Sequence, residues 1–229
     1  MKTSELSRLP LAASWFAATG PEGDVVVSSR IRLARNLSDH AFPGTATDDD
    51  RRLAQAAILG AIRAELMPEP FGAESFEFIP AELVPWQRRF IVERSIGDRE
   101  PAWRVLVSED EQTSVSIGPI DHLRLATLSA GLSLVSALER IQAFDRALER
   151  DLNYAVAMDW GYLSTEITNI GTAMRASVLV HVPALSVLGR LEAMSASMER
   201  SGYELVPFFP GEEFQADGSA LCLLRNTRS

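Results

Sequence analysis

The sequence predicts an α+β fold in which a mostly antiparallel sheet is flanked by helices. Two observations support this class. First, short runs of β-branched or apolar residues, which have the composition of strands, occur next to one another in the sequence. Second, the long amphipathic segments follow groups of these runs and do not alternate with every run, as they would in a parallel α/β fold. With 229 residues, 46% of them apolar, the chain can bury one substantial core. We therefore expect an N-terminal segment, 1–21, and a single domain, 22–229.

Five runs have the composition of strands, because they are rich in Val, Ile, Leu and Thr and are bounded by turn residues. They occupy residues 24–28, 103–107, 113–117, 177–181 and 220–224. The polar tetrapeptide Ser108-Glu109-Asp110-Glu111 separates two of these runs, which predicts a hairpin. The expected arrangement is an antiparallel sheet with helices on one face.

Three segments have helical periodicity, at residues 48–66, 133–150 and 183–202. The first has the best-defined start, because Thr47 can cap it and three aspartates follow at the positive end of the helix dipole. Its predicted apolar stripe consists of Leu53, Ala57, Ile58, Ala61, Ile62 and Leu66. The third has Pro183 in its first turn and is predicted to continue to Gly202.

Composition excludes several classes of function. A net charge of −9 and a pI near 4.9 argue against general nucleic-acid binding, and no apolar run is long enough to cross a bilayer. Glu5 and Arg8 interrupt the N-terminal apolar stretch, so we expect a mature cytoplasmic start with no membrane association. Cys222 is the single cysteine, which excludes an internal disulfide and a cysteine-rich metal site. We expect no metal held by protein side chains.

Arginine supplies nearly all the positive charge, since Lys2 is the only lysine among 22 basic residues. A GC-rich genome would produce this bias, but arginine also presents a planar fork suited to phosphate. Arg30 and Arg32, in Val25-Val26-Val27-Ser28-Ser29-Arg30-Ile31-Arg32, are two residues apart and project from the same face of a strand. By themselves they indicate either a phosphate-type ligand or solvated edge arginines.

Two later motifs also place an arginine beside a strand or a turn, namely Asp121-His122-Leu123-Arg124 and the run TNIGTAMRASV at 168–178. Each alone favours a structural arginine. In this order, and with matching segments at 41–43, 90–94, 107–111 and 160–163, they make the chain resemble the phosphagen (ATP:guanidino) kinases from about residue 22 to 205. The resemblance is greatest to the bacterial protein-arginine kinases.

The resemblance implies the glutamine-synthetase-like catalytic-domain fold of the guanidino kinases and an ATP site that receives Mg²⁺ with the nucleotide. Arginine or an arginyl protein is the implied acceptor, and a regulatory protein is an implied partner. Four arginines, Arg30, Arg32, Arg124 and Arg175, correspond to those that hold the nucleotide phosphates. Their neighbours complete the implied site, namely Ser28, Ser29, Ile31, Ala176, Ser177, Val178 and Leu179.

The sequence departs from the family pattern where the family carries acids. Ile120 occupies the position of a glutamate that orients and deprotonates the guanidinium, a group with a pKa of about 12.5 to 13.8. Glu166 replaces the substrate-side cysteine, Val206 replaces a fifth phosphate-binding arginine, and only Glu212 or Glu213 can stand in for a loop glutamate.

Two hypotheses follow from these departures. One is a pseudokinase, which binds nucleotide with weak or lost catalysis. The other is an active, divergent arginine kinase that uses a relocated carboxylate, with Glu166, Glu212 and Glu213 as the candidates.

Overall fold

The computed structural model describes residues 14–17, 19–63, 75–93, 102–208 and 221–228. Its framework is one eight-stranded sheet, in which every pair of neighbouring strands is antiparallel. The strands are β1 Val26–Arg35, β2 Phe76–Phe78, β3 Arg104–Val107, β4 Thr113–Ile117, β5 Leu123–Ala130, β8 Met174–His181, β9 Tyr203–Pro207 and β10 Leu221–Asn226. Two further strands, β6 Val156–Ala157 and β7 Gly161–Tyr162, form a separate hairpin.

The order of strands across the main sheet is β2-β3-β4-β5-β1-β8-β10-β9. The N-terminal strand β1 therefore lies near the centre, between β5 and β8. The predicted hairpin is present as β3 and β4, joined through Ser108–Glu111. Because β1 has a neighbour on each side, its backbone is held along its length, and residues distant in sequence are brought beside it.

Six α-helices are present among the described residues: α1 Ser14–Ala17, α2 Asp48–Ile62, α3 Pro85–Glu93, α4 Leu134–Leu148, α5 Pro183–Val187 and α6 Leu191–Arg200. The cap predicted for α2 is confirmed. The backbone N–H of Asp50 donates to the Thr47 hydroxyl over 3.2 Å, and the Asp50 carboxylate accepts from the Thr47 N–H over 2.9 Å. The predicted apolar stripe is wrong at Leu53, which is 61% exposed, and Leu66 lies outside the described residues.

The single helix predicted over residues 183–202 is wrong, because the structure divides it into α5 and α6. Gly189 has a φ of +61°, in the left-handed region that ends a helix and favours glycine. The N–H of Arg190 then donates to the carbonyl of Leu185 over 2.8 Å, which closes the end of α5. The chain turns here and begins α6 in a new direction.

The main core lies between one face of the sheet and helices α2 and α4. Ile31, Leu33 and Leu125 project from the sheet and pack against residues such as Ile58 of α2 and Ile141 of α4. Helix α6 covers the β9–β10 end of this face, where Leu191 packs against Leu205 and Cys222. Burial raises the pKa of the Cys222 thiol, as expected for a packed cysteine.

The prediction that helices lie on one face is incomplete, because α3 packs against the other. Phe78 and Val105 are paired across β2 and β3, and they pack with Ile91 of α3 and with Leu83. On the same second face, Trp15 of α1 covers Leu128 of the central strand β5. The same face of the neighbouring strands β5, β1 and β8 carries the arginines.

Candidate functional site

Strand register places the predicted arginines on one face of the sheet. Arg32 lies directly opposite Arg175 of β8, and Arg124 of β5 lies opposite Ala34, two residues along β1 from Arg32. Directly opposed residues in an antiparallel pair project to the same side, and so do residues two apart. Arg30, Arg32, Arg124 and Arg175 therefore share one side of three adjacent strands, which we call the arginine face.

Arg124 is held rigidly by Asp121, three residues earlier in the chain. Its Nε and Nη2 donate to Asp121 Oδ2 over 3.2 and 3.1 Å, and the Asp121 side chain is fully buried. The other carboxylate oxygen, Oδ1, accepts from Asn36 Nδ2 over 2.9 Å and from Ser164 Oγ over 2.7 Å. Burial raises the pKa of Asp121, while the hydrogen bonds from Ser164 and Asn36 oppose this rise.

Glu166 and Asn169 link Arg124 to Arg175. Glu166 Oε2 lies 3.8 Å from Arg124 Nη2 and accepts a hydrogen bond from Asn169 Nδ2 over 2.7 Å. The amide oxygen of Asn169 in turn accepts from Arg175 Nη2 over 3.3 Å. Asn169 is buried, whereas the Glu166 side chain is 36% exposed. One carboxylate and one amide thereby fix the spacing of two guanidinium groups on different strands.

The arginine face carries concentrated positive charge. Burial lowers the pKa of Arg175, and the neighbouring charges of Arg32 and Arg225 lower it further, while Glu166 and Glu204 oppose them. The effect of Arg32 and Arg225 on this pKa is a repulsion between neighbouring cations, which adds to the larger effect of burial. An anion with several negative charges would relieve that repulsion, and fixed guanidinium groups suit a phosphate.

The other residues implied by the resemblance divide between the two faces. Ser28, Ser177 and Leu179 are in register with the arginines and lie on the arginine face. Side chains at the intervening positions, Ser29, Ile31, Ala176 and Val178, point toward the helices.

Ser29 is one of the side chains that point toward the helices and away from the arginine face. Its Oγ donates to the carbonyl of Gly131 over 2.7 Å and accepts from the N–H of Ser133 over 2.9 Å, just before α4 begins. The Ser29 hydroxyl therefore secures the start of that helix and is not available to a ligand on the arginine face.

Ile120 lies in the short connection between β4 and β5, directly before Asp121. Its side chain is partly buried, and its carbonyl accepts a hydrogen bond from Thr165 Oγ1 over 2.5 Å. Position 120, where the resemblance implies a glutamate, is thus apolar here. Glu212 and Glu213, the candidates for a loop acid, lie outside the described residues.

His122 fixes the segment that follows β1. Its Nδ1 accepts from the backbone N–H of Leu37 over 3.1 Å, and its Nε2 lies 3.0 Å from the carbonyl of Ala41. Both contacts are satisfied by a neutral ring that carries its proton on Nε2, since a proton on Nδ1 would face the Leu37 N–H. Burial lowers the pKa of His122. The ring therefore acts as a packed structural group beside the site.

We expect acid to destabilise the protein through His122. Because its pKa is lower in the folded protein than its ordinary value of 6.5, the unfolded chain binds the proton first as the pH falls below that value. Between pH 7.5 and 5.5, urea unfolding should show a loss on the order of 1 kcal/mol that His122→Gln removes. The exposed His181→Gln is the matched control. An identical pH slope in both variants would contradict this assignment.

Sequence reasoning missed the groups that organise the arginines. Asp121 and Asn169 lie within the quoted motifs, but the partners of Asp121, Asn36 and Ser164, are 85 and 43 residues from it. Glu204 and Arg225, an ion pair joining β9 and β10, were also missed. The signal that the sequence offered was the position of Asp121 three residues before Arg124 within one motif.

The described residues contain no group of three or more His, Cys, Asp or Glu side chains that could hold a metal ion. They also contain no helix that is long and apolar enough to span a membrane. The donors on the arginine face are guanidinium groups, which suit the phosphates of a nucleotide better than a bare cation.

Comparison with known proteins adds independent information. A family model described as the ATP:guanido phosphotransferase C-terminal catalytic domain matches residues 82–219. A protein-arginine kinase of Symbiobacterium thermophilum is 35% identical over 219 residues, which cover 93% of this chain and 61% of the relative. A protein-arginine kinase of Halothermothrix orenii is 36% identical over 194 residues, covering 82% of this chain and 54% of the relative. The chain thus spans somewhat more than half the length of these relatives.

Solved structures with the same fold include the duplicated taurocyamine kinase from Schistosoma mansoni with bound transition state analog components. It has a TM-score of 0.72 at 21% identity and covers 97% of this chain and 31% of that one. Lombricine kinase has a TM-score of 0.71 at 20% identity, over 96% of this chain and 64% of that one. The predicted fold class is confirmed. Since the family model matches more than half of the chain, this protein belongs to the ATP:guanido phosphotransferase family and is a protein-arginine-kinase-like domain.

Proposed function

We propose that this domain binds the phosphates of ATP through Arg30, Arg32, Arg124 and Arg175 and transfers phosphate weakly or not at all. The observation that supports binding is the common face of these four side chains, two of which are fixed by the Asp121 and Glu166–Asn169 contacts. As a pseudokinase, the domain would act by regulating a partner protein.

Binding by such a face follows from electrostatics. Phosphoryl transfer passes through a loose state with charge on the equatorial oxygens, so positioned cations supply much of the catalysis that a kinase needs. Bound ATP would bring Mg²⁺, which neutralises charge between its phosphates. The residues of this chain would hold the phosphate oxygens and orient them, because hydrogen bonds to Asp121 and Asn169 position Arg124 and Arg175.

Weak phosphoryl transfer is expected because position 120 lacks a carboxylate that could act as a general base. A guanidinium acceptor must lose a proton before its nitrogen can attack phosphorus, and a side chain of isoleucine at position 120 cannot accept one. Asp121 is adjacent, but its side chain is buried and its oxygens accept hydrogen bonds from Arg124, Asn36 and Ser164. It is therefore committed to positioning Arg124.

The alternative is an active arginine kinase, and the position of Glu166 is the observation in its favour. Its carboxylate is 36% exposed at the edge of the arginine face, 3.8 Å from Arg124 Nη2. In this reading Glu166 takes the acceptor proton, and the acceptor is free arginine or an arginyl protein. Glu166 would then have to take this proton while its carboxylate also accepts the hydrogen bond from Asn169.

The two readings are separated by measuring binding and transfer on the same protein. ATP binding is measured with Mg²⁺ by calorimetry, and transfer is measured with γ-labelled ATP to free arginine, an arginyl protein and the chain itself. Binding without transfer supports the proposal. Transfer that Glu166→Gln abolishes supports the active kinase. No ATP binding at all would refute both.

Restoring the missing acid is expected to raise phosphoryl transfer. Ile120→Glu places a carboxylate at the position where the resemblance implies the glutamate that holds and deprotonates a guanidinium, and a positioned general base typically contributes about 100-fold or more. We expect at least about a 10-fold rise in labelled phosphoarginine, allowing for imperfect placement. Ile120→Gln, which has the same shape without a charge, is the control. Equal transfer by the two variants would mean that position 120 does not limit the reaction.

A further inference from the structure

Arg225 lies on the arginine face although it belongs to β10, near the other end of the chain. It is directly opposite Ser177 of β8, and Ser177 is directly opposite Arg30 of β1. The three residues thus form a row across three strands, with about 5 Å between neighbouring strands. Arg225 is consequently on the same side of the sheet as Arg30. Its partner Ser177 is two residues from Arg175 along β8.

Together the arginines follow a diagonal across the sheet. Arg124 lies level with Ala34 of β1, Arg175 lies level with Arg32, and Arg225 lies level with Arg30 through Ser177. Each step moves one or two strands across and two residues along. A diagonal row of cations across several strands matches an extended polyanion better than a single spherical ion.

Glu204 holds Arg225 in this position. The two residues face each other across β9 and β10, and Arg225 Nε donates to Glu204 Oε2 over 2.7 Å. The side chains are 29% and 36% exposed, so a ligand can reach both. The bond to Arg225 lowers the pKa of Glu204, which keeps it ionised and in competition with any incoming anion.

We infer that Arg225 is a further phosphate-binding residue of the arginine face, which exchanges its contact with Glu204 for an oxygen of the bound polyphosphate. This inference rests on the proposed function, because it extends the same nucleotide site by one strand. Glu204 acts as the counterion that Arg225 leaves when the ligand binds.

An internal control exists on the opposite face of the sheet. Arg104 of β3 and Glu77 of β2 also form an ion pair across the sheet, with side chains that are 32% and 29% exposed. Charge, burial and strand context are thus nearly matched, but this pair lies beside α2, where Arg104 Nε also donates to Gln55. Arg104→Gln reproduces the loss of an ion pair and the change in net charge away from the arginine face. Glu77→Gln does the same for the acid and also removes the ion pair of Glu77 with Arg63.

The experiment measures binding of MgATP and of inorganic tripolyphosphate by calorimetry. Arg225→Gln is expected to weaken both by about 3- to 10-fold, the value of one charge-assisted contact at a partly exposed site. Arg104→Gln is expected to leave both unchanged. Glu204→Gln should strengthen both by about 2-fold or more, because it removes the competitor for Arg225. Glu77→Gln should not.

Arg225→Gln and Glu204→Gln are expected to change ligand affinity in opposite directions, which distinguishes ligand binding from a structural role. If the ion pair only supported the fold, Arg225→Gln and Glu204→Gln would change binding in the same direction, and this outcome would overturn the inference. Equal binding by Arg225→Gln and Arg104→Gln would overturn it too, while leaving the proposed function intact. If the unchanged protein binds neither ligand, both proposals fail. Should Arg225→Gln not fold, the sign of the Glu204→Gln effect still decides.

Discussion

Replacing Arg32 and Arg175 together by glutamine is expected to weaken ATP binding by at least about 100-fold. The two guanidinium groups arise from directly paired positions of β1 and β8 and would contact the same run of phosphates. Hydrogen bonds to charged groups contribute about 1.5 to 3 kcal/mol each, and each 1.4 kcal/mol is tenfold in affinity. The loss of these two contacts is therefore the largest decrease in ATP affinity that we predict for this site.

The same double variant is expected to keep or raise the thermal midpoint of unfolding. Burial and, to a smaller extent, the charge of Arg32 lower the pKa of Arg175, and neutral side chains remove both the cost of burying this charge and the repulsion between the two cations. The control is Arg51→Gln with Arg52→Gln on exposed parts of α2, which removes the same charge elsewhere. If the control weakens ATP binding as much, the effect is one of net charge, and the arginine face is not the binding site.

Replacing Asp145 by alanine is expected to lower the free energy of unfolding by about 3 to 5 kcal/mol. Arg35 Nη2 donates to Asp145 Oδ2 over 2.6 Å, the two side chains are only 4% and 9% exposed, and the Arg35 guanidinium lies 3.5 Å from the centre of the Tyr162 ring. The variant leaves a buried cation without its carboxylate. For a domain of this size, the thermal midpoint should fall by roughly 6 to 20 °C.

Two comparisons test the cause of that loss. Asp49→Ala removes the acid of an exposed ion pair with Arg52 and should cost about 1 kcal/mol or less. Replacing Arg35 by methionine together with Asp145 by leucine should recover much of the stability, because a buried ion pair can often be exchanged for apolar side chains of similar volume. A loss for Asp145→Ala no greater than for Asp49→Ala would show that the buried pair does not join β1 to α4.

Local sequence signals correctly predicted those elements in which all residues of a short segment favour the same secondary structure. Thr47 and Asp50 form their capping contacts within four residues, so the start of α2 was correct. Residues 113–117 form β4 at the predicted bounds, because every side chain of that strand is buried. The strand β5 was missed, since Leu123–Ala130 mixes apolar residues with arginine, threonine and serine. Its strand character comes from pairing with β1 and β4 on both sides.

Local patterns failed where distant packing decided the outcome. Leu53 fits a helical stripe but faces solvent, because Ala54, Ile58, Ala61 and Ile62 turn the buried side of α2 away from it. The split between α5 and α6 depends on the left-handed conformation of Gly189, which a periodic pattern of apolar residues does not reveal.

The sequence by itself determined that Arg30 and Arg32 share one face of a strand, since alternate side chains of a strand project to the same side. The sequence also showed that isoleucine occupies position 120, where the resemblance implies a glutamate. Only the tertiary structure decided that Arg124, Arg175 and Arg225 join that face. Their placement depends on the registers of β5, β8 and β10, which pair residues far apart in the chain. Register is set by which side chains the shared core can bury, and no local segment contains that information.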